Sequence, residues 1–202
     1  MYMKKTILLF ALLFASLAAL AQDFIRVKYQ GTKPTITDLA WAYANYMANL
    51  EETGDKPSNA IMHAMIQQRK GLPQEEGVTF IIDEKNGYLL YERVDDSYVN
   101  RMEMCYWNEA DGKHKLFAFN NMATFIDGRP AYTETSDLQF LRYNNATKKM
   151  VYCDPPGFEV DYNETSYALP RTGKHIVVTK WDKSGNKIQE TMLKWNGRRF
   201  SK

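Results

Sequence analysis

The sequence predicts an α+β fold: two N-terminal helices, then an antiparallel β-meander that curls into a partial barrel or splits into a sandwich. Three observations carry this. Apolar residues recur at helical spacing between Asp38 and Lys70. From Val78 onward the pattern changes to the alternation of strands. Short turns rich in Asn, Asp and Gly separate those later runs, and such turns join antiparallel neighbours.

Asp23 to Tyr29 alternates weakly, as a first strand or an extended arm, and Gly31-Thr32-Lys33-Pro34 ends it. Thr37 is expected to cap a helix that begins at Asp38, whose negative charge suits a helix N-terminus. Leu39, Ala42, Tyr43, Tyr46, Met47 and Leu50 fall on one face of it. Trp41 lies on the opposite face near Ala44 and Ala48, where it either packs against another element or binds a ligand. After Gly54-Asp55-Lys56-Pro57, a second helix is expected from Asn59 to Lys70, capped by Ser58, with Ile61, Met62, Met65 and Ile66 as its stripe. Arg69 and Lys70 suit its negative C-terminus, and Gly71 stops it.

Strands are expected over Val78–Asp83, Gly87–Val94, Tyr98–Asn108, Lys115–Asn120, Ala123–Ile126, Leu138–Tyr143, Lys149–Cys153, His175–Trp181 and Lys187–Trp195. Within Tyr98–Asn108, Tyr98, Met102, Met104 and Tyr106 share one face, and Arg101, Glu103 and Cys105 share the other. Two short helices cannot cover about eight strands, which is why the sheet is expected to curl or split. The last hairpin, Trp181 to Phe200, is the cleanest example of the pattern, and Trp181 and Trp195 are expected to be core residues.

The first residues read as a secretory leader. Met1-Tyr2-Met3-Lys4-Lys5 is basic, Ile7 to Leu20 is apolar, and Ala19-Leu20-Ala21 is a small-x-small cleavage site ahead of Gln22. The apolar run is too short for a comfortable membrane span, so no stable span is expected after cleavage. This leader resembles those of uncharacterised exported proteins of Gram-negative anaerobes. The resemblance covers the leader alone and implies export: periplasmic, outer-membrane-associated or secreted. The expected organisation is a signal peptide over 1–21 and one α+β domain over 22–202, helical over 22–73 and β over 74–202. About 180 residues suit one sizeable domain.

Lys4 and Lys5 account for the whole excess of Lys and Arg (26) over Asp and Glu (24). The exported chain is therefore formally neutral, without a general electrostatic pull on nucleic acid or anionic lipid. Arg198, Arg199 and Lys202 are read as a solvated tail. Cys105 and Cys153 both fall in expected strands; an oxidising compartment allows a disulfide between them, with two buried thiols as the alternative.

Catalytic signatures are scarce. The sequence contains no G-x-S-x-G, H-E-x-x-H, C-x-x-C or P-loop, and its three His are not spaced as metal ligands. No cofactor or metal is expected. The long irregular stretch from Asp154 to Gly173 is the place for a site. It carries Glu159, Asp161 and Glu164 among Phe158, Tyr162 and Tyr167. Phe158, Tyr162 and Tyr167, with Trp41, are the candidate ligand-binding residues. The first functional reading is a non-catalytic binding module for a protein or a glycan. The alternatives are a glycan-directed hydrolase using Glu159 and Asp161 as paired carboxylates, and a lipocalin-like or cystatin-like container for a small apolar ligand. The 13 Tyr residues suit a half-buried, partly polar sheet face.

Overall fold

The computed structural model describes residues 24–50, 57–131 and 137–202. The leader lies outside the described residues, as do 51–56 and 132–136. The fold is mostly antiparallel sheet with two helices. The first element is a short strand, β1 (Ile25–Arg26), so the helices do not stand at the N-terminus of the fold. They are α1 (Ile36–Leu50) and α2 (Pro57–Arg69). The strands that follow are β2 (Val78–Asp83), β3 (Tyr88–Val94), β4 (Tyr98–Asn108), β5 (His114–Phe125), β6 (Pro130–Ala131), β7 (Asp137–Asn144), β8 (Lys149–Tyr152), β9 (Thr165–Ala168), β10 (His175–Trp181), β11 (Lys187–Trp195) and β12 (Phe200–Ser201).

The strands form two sheets. The large sheet runs β1-β8-β7-β5-β4-β3-β2, with β6 pairing on β5. Apart from β1 and β6 this is the expected meander, each strand lying beside its neighbour in sequence. The small sheet runs β12-β11-β10-β9. One buried cluster joins α1 and α2 to one face of the large sheet through Leu39, Tyr43, Ile61, Met65, Met104 and Phe117. The other joins the opposite face to the small sheet through Tyr88, Trp107, Phe140, Ile176, Trp195 and Phe200. The alternation in β4 sorts its residues between these clusters as expected: Met102 and Met104 face the helices, Cys105 and Trp107 the small sheet.

Helix α1 begins two residues before the expected start, and its cap is Thr35 rather than Thr37. The Thr35 amide donates to Asp38 Oδ2 at 2.8 Å, and the Asp38 amide donates back to Thr35 Oγ1 at 3.4 Å. This is a reciprocal capping box. Ile36, Leu39 and Tyr43 are buried on the expected face, whereas Leu50 at the helix end is 58% exposed. Trp41 is half-buried against the helix-side cluster, and the Arg69 guanidinium of α2 sits 4.8 Å from its ring centroid. The second helix is thus the packing partner of the Trp41 face.

Two expected strands, Lys115–Asn120 and Ala123–Ile126, are one continuous strand, β5. Asn120 is not a turn residue. Its amide is buried and bonded across the sandwich, as described below. Free edges are managed by side chains. At the β2 edge, the Gln74 amide both donates to the Phe80 carbonyl (2.8 Å) and accepts from the Phe80 N–H (3.1 Å), filling the place of a further strand.

Cys105 and Cys153 are both free thiols. Cys105 pairs with Ala118, Ala118 with Phe140, and the Cys153 amide donates to the Phe140 carbonyl. The two thiols therefore stand in one row, three strand spacings apart, roughly 14 Å. A disulfide needs Cα atoms within about 7 Å, so the bond that the compartment would allow does not form here, and the alternative of two thiols holds. Burial pushes both thiols up, Cys153 to about 11, so neither is an activated thiolate.

Lys115 is buried on the helix side at 4% exposure. Its Nζ donates to Asn108 Oδ1 at 2.6 Å and lies 4.0 Å from the Tyr106 ring centroid. Burial, assisted by the Lys33 charge, lowers its pKa from 10.5 to about 8. A base with a depressed folded pKa binds its proton more tightly when unfolded. Stability is therefore reduced below pH 8 and recovers as pH rises from about 8 toward 10.5, by on the order of 3 kcal/mol at most. Lys115→Met is expected to remove this slope. Thermal melts of both proteins between pH 7.5 and 9.5 check it: their difference should shrink as pH rises, and a constant difference would count against the assignment.

Candidate functional site

The long connection after β8 is organised by one strand that the sequence pattern does not reveal. Residues 165–168 form β9, an edge of the small sheet, paired with β10. Its outward backbone groups face the large sheet, and two side chains of that sheet receive them. The Leu169 amide donates to Glu103 Oε2 at 3.0 Å, and Asn120 Nδ2 donates to the Tyr167 carbonyl at 2.8 Å. A C=O and an N–H two residues apart on one side of a strand are the pair that a neighbouring strand would bond. Glu103 and Asn120, cross-strand partners on β4 and β5, take that neighbour's place.

Glu103 is 1% exposed, so its charge needs full compensation. Its other oxygen accepts from the Tyr88 hydroxyl at 2.7 Å and from Arg101 Nη2 at 3.0 Å, while Asn120 Nδ2 also approaches Oε2 at 3.4 Å. Arg101 bonds Glu92 at 3.0 Å as well. Burial opposes the Arg101 charge, but the Glu103 carboxylate and Tyr88 outweigh it and the pKa is raised. Burial and the same carboxylate push the Tyr88 hydroxyl up. Every oxygen of Glu103 is engaged by protein donors. It joins the sheets and is not free to act on a substrate.

Beside this network lies an open cleft lined by Asn120, Asp137, Leu138, Tyr162, Ser166 and Tyr167, among others. Its free interior of about 30 Å³ accepts a water or two. A lipocalin-type apolar guest needs a pocket of hundreds of Å³. Tyr162 stands at the mouth, 58% exposed. Partial burial, then the nearby Asp137 carboxylate, raise the Tyr162 pKa.

The other expected site residues divide by what holds them. Tyr167 is buried, and its hydroxyl accepts from the Asp161 amide (2.7 Å) and donates to the Asp161 carbonyl (3.1 Å), pinning the loop. Phe158 packs edge-on against Phe140 and Phe200 at 5.9 and 5.5 Å. Gly157 beneath it has φ +99°, and a Cβ there would stand 2.3 Å from the Phe200 carbonyl oxygen, so only glycine lets this loop reach β12. These aromatics fasten the loop, and Trp41 is covered by Arg69 on the helix side.

Glu159 and Asp161 do not share a strand face, because residues 153–164 form no strand. Glu159 is exposed. Asp161 accepts from the Asn163 amide at 2.9 Å and faces Lys180 at 3.5 Å. The amide first, then the Lys180 contact, hold its pKa below the usual carboxylate range, the wrong direction for a general acid.

A second polar cluster closes the β4–β5 hairpin. Ligand atoms of Glu109, Asp111 and His114 lie within 4.8 Å of one another. Asn144 Oδ1 accepts from the Ala146 and Thr147 amides, so its Nδ2 must be the group facing His114 Nε2 at 3.0 Å. Nε2 therefore accepts, and Nδ1–H donates to Asp111 Oδ2 at 2.6 Å. That bond, with the Lys113 amide, brings Asp111 down to about 2. Arg142 holds Glu109 at 2.8 Å. A divalent cation would have to displace these partners, so the cluster reads as a closed hairpin lock. The sequence pattern of three His residues far apart gave no sign of it.

Among the described residues, no helix is long and apolar enough to cross a membrane. Fold and site together define a β-rich α+β chain with a buried ionic joint between its sheets and a small polar cleft beside it. Comparison with protein-family models, with curated proteins and with solved structures finds no match.

Proposed function

We propose that this chain is an exported, non-catalytic binding module whose ligand, a protein or a glycan, meets the cleft at Tyr162. One observation carries the reading. Among the described residues the buried carboxylate, Glu103, is fully engaged in joining the sheets, while Tyr162 lines the cleft with Asp137 and is 58% exposed. An exposed aromatic next to a carboxylate offers stacking and hydrogen bonding, the two contacts a sugar or a polar peptide side chain uses. In this reading the large sheet curls over the small one as a half-open sandwich within one domain. The leader sequence supports export.

A glycan array followed by titration of its best binder tests the assignment. Tyr162→Ala is expected to weaken that binder at least tenfold, about 1.4 kcal/mol, and to leave the melting temperature unchanged because the side chain is exposed. Undiminished binding by the variant would remove the cleft from the site. A Glu159→Gln, Asp161→Asn double variant separates the hydrolase alternative: glycan cleavage by the parent and none by the variant would replace the binding-module reading.

A further inference from the structure

The end of the large sheet opposite the cleft carries an uncompensated band of positive charge. The β1–β8 edge pairs Arg26 with Lys149. Lys28 follows β1, and the Val27 amide bonds the Lys148 carbonyl in the β7–β8 turn. Lys113 stands in the adjoining β4–β5 turn, whose carbonyl receives the Asn145 amide. Among the described residues, none of Arg26, Lys28, Lys113, Lys148 and Lys149 has a carboxylate at salt-bridge distance, and the acids at the rim, Glu109 and Asp111, are held by Arg142 and His114. The whole exported chain is neutral, so this band is a segregation of charge and not a share of a general one.

The aromatics within the band are already occupied. Lys149 Nζ lies 3.6 Å from the Phe24 ring centroid, with the Arg26 guanidinium 5.9 Å from the same ring, and Lys148 Nζ lies 4.6 Å from the Tyr29 centroid. These contacts hold the cations along the edge. Phe24 stays 40% exposed, but the ring it could offer a nucleic-acid base already carries two cations. What remains is a row of exposed and half-exposed cations, stepping roughly 5 Å across the Arg26–Lys149 pair. That step suits a chain bearing about one anionic group per sugar.

We infer that the β1–β8 edge, with the adjoining 113 and 148 turns, binds a linear acidic polysaccharide. The inference rests on the binding-module reading but not on Tyr162, because the two places lie at opposite ends of β7, ~23 Å apart.

The purified protein is titrated with fluorescently labelled polygalacturonate at 50 and 300 mM NaCl. Neutral dextran, single-stranded DNA and phosphatidylglycerol vesicles run beside it. Saturable polygalacturonate binding is expected, weakened at least tenfold at the higher salt. The triple variant Arg26→Gln, Lys28→Gln, Lys149→Gln should lose at least tenfold, and Tyr162→Ala nothing. A control, Lys187→Gln with Lys194→Gln on the small sheet, should bind as the parent does. Equal loss in the control, equal binding of dextran, or tighter binding of DNA or vesicles would overturn the inference. Loss on Tyr162→Ala alone would return the acidic glycan to the cleft and overturn the edge site while sparing the binding module. Melting curves confirm that the variants fold, which the exposed positions of Arg26 and Lys28 favour.

Discussion

Glu103→Ala is expected to lower the unfolding free energy by about 3–5 kcal/mol, the cost of breaking a buried ion pair from one side. The substitution strands several donors at once. The Leu169 amide loses its acceptor at the β9 edge, and the Tyr88 hydroxyl loses its own inside the sandwich. Each buried, unsatisfied donor costs about 1–3 kcal/mol. Arg101 is less affected, because it keeps Glu92 and is 37% exposed. Asn120 retains the Tyr167 carbonyl. The loss should therefore appear first where β9 meets the large sheet. Hydrogen exchange at the Leu169 amide is expected to be faster in Glu103→Ala than in the parent, whereas Glu103→Gln keeps one oxygen that can still accept that bond. Urea titration measures the total. A Glu103→Ala variant within 1 kcal/mol of the parent would mean that this carboxylate does not join the sheets. Glu92→Ala is the control: its ion pair is partly exposed, and such pairs contribute under about 1 kcal/mol.

The legible part of this fold is the part governed by neighbours in sequence. β2, β4, β10 and β11 have the bounds that apolar alternation and turn residues predict, since each is paired through a short turn with the strand beside it. β9 was hidden for a physical reason. It is four residues long, lies between Pro155-Pro156-Gly157 and Pro170, and its free edge is met by side chains 47 and 66 positions away. No local pattern reports such a partner. The same remoteness bears on Asn120, the expected end of one strand, which lies inside β5 with its side-chain amide bonded across the sandwich. For the site, the loop aromatics divide on contacts that sequence does not carry: Phe158 and Tyr167 pin the loop, and Tyr162 lines the cleft.

The two tryptophans of the C-terminal hairpin separate in the same way, and their separation yields the second large effect. Both are expected in the core. Trp195 is one, at 6% exposure, with its ring 4.8 Å from Phe200 and 6.3 Å from Trp107. Its strand pairs Trp195 with Phe200, so the ring also fixes β12. Trp181 lies after a register shift between Lys180 and itself, and it is half-buried outside both clusters, with Nε1 donating to Ser166 Oγ at 2.9 Å. The inward face of β10 is that of Ile176 and Val178, so alternation places Trp181 on the other face, with Val177 and Thr179. Trp195→Ala removes a full aromatic from a closed layer and should cost about 3–5 kcal/mol. Trp181→Ala removes a partly exposed ring and one hydrogen bond and should cost about 1 kcal/mol. Urea midpoints of the two variants, read by far-ultraviolet circular dichroism so that the lost fluorophore does not matter, decide between them. Equal losses would place Trp181 in the core, against the face that alternation gives it; a small loss for Trp195→Ala would show that the layer between the sheets closes without it.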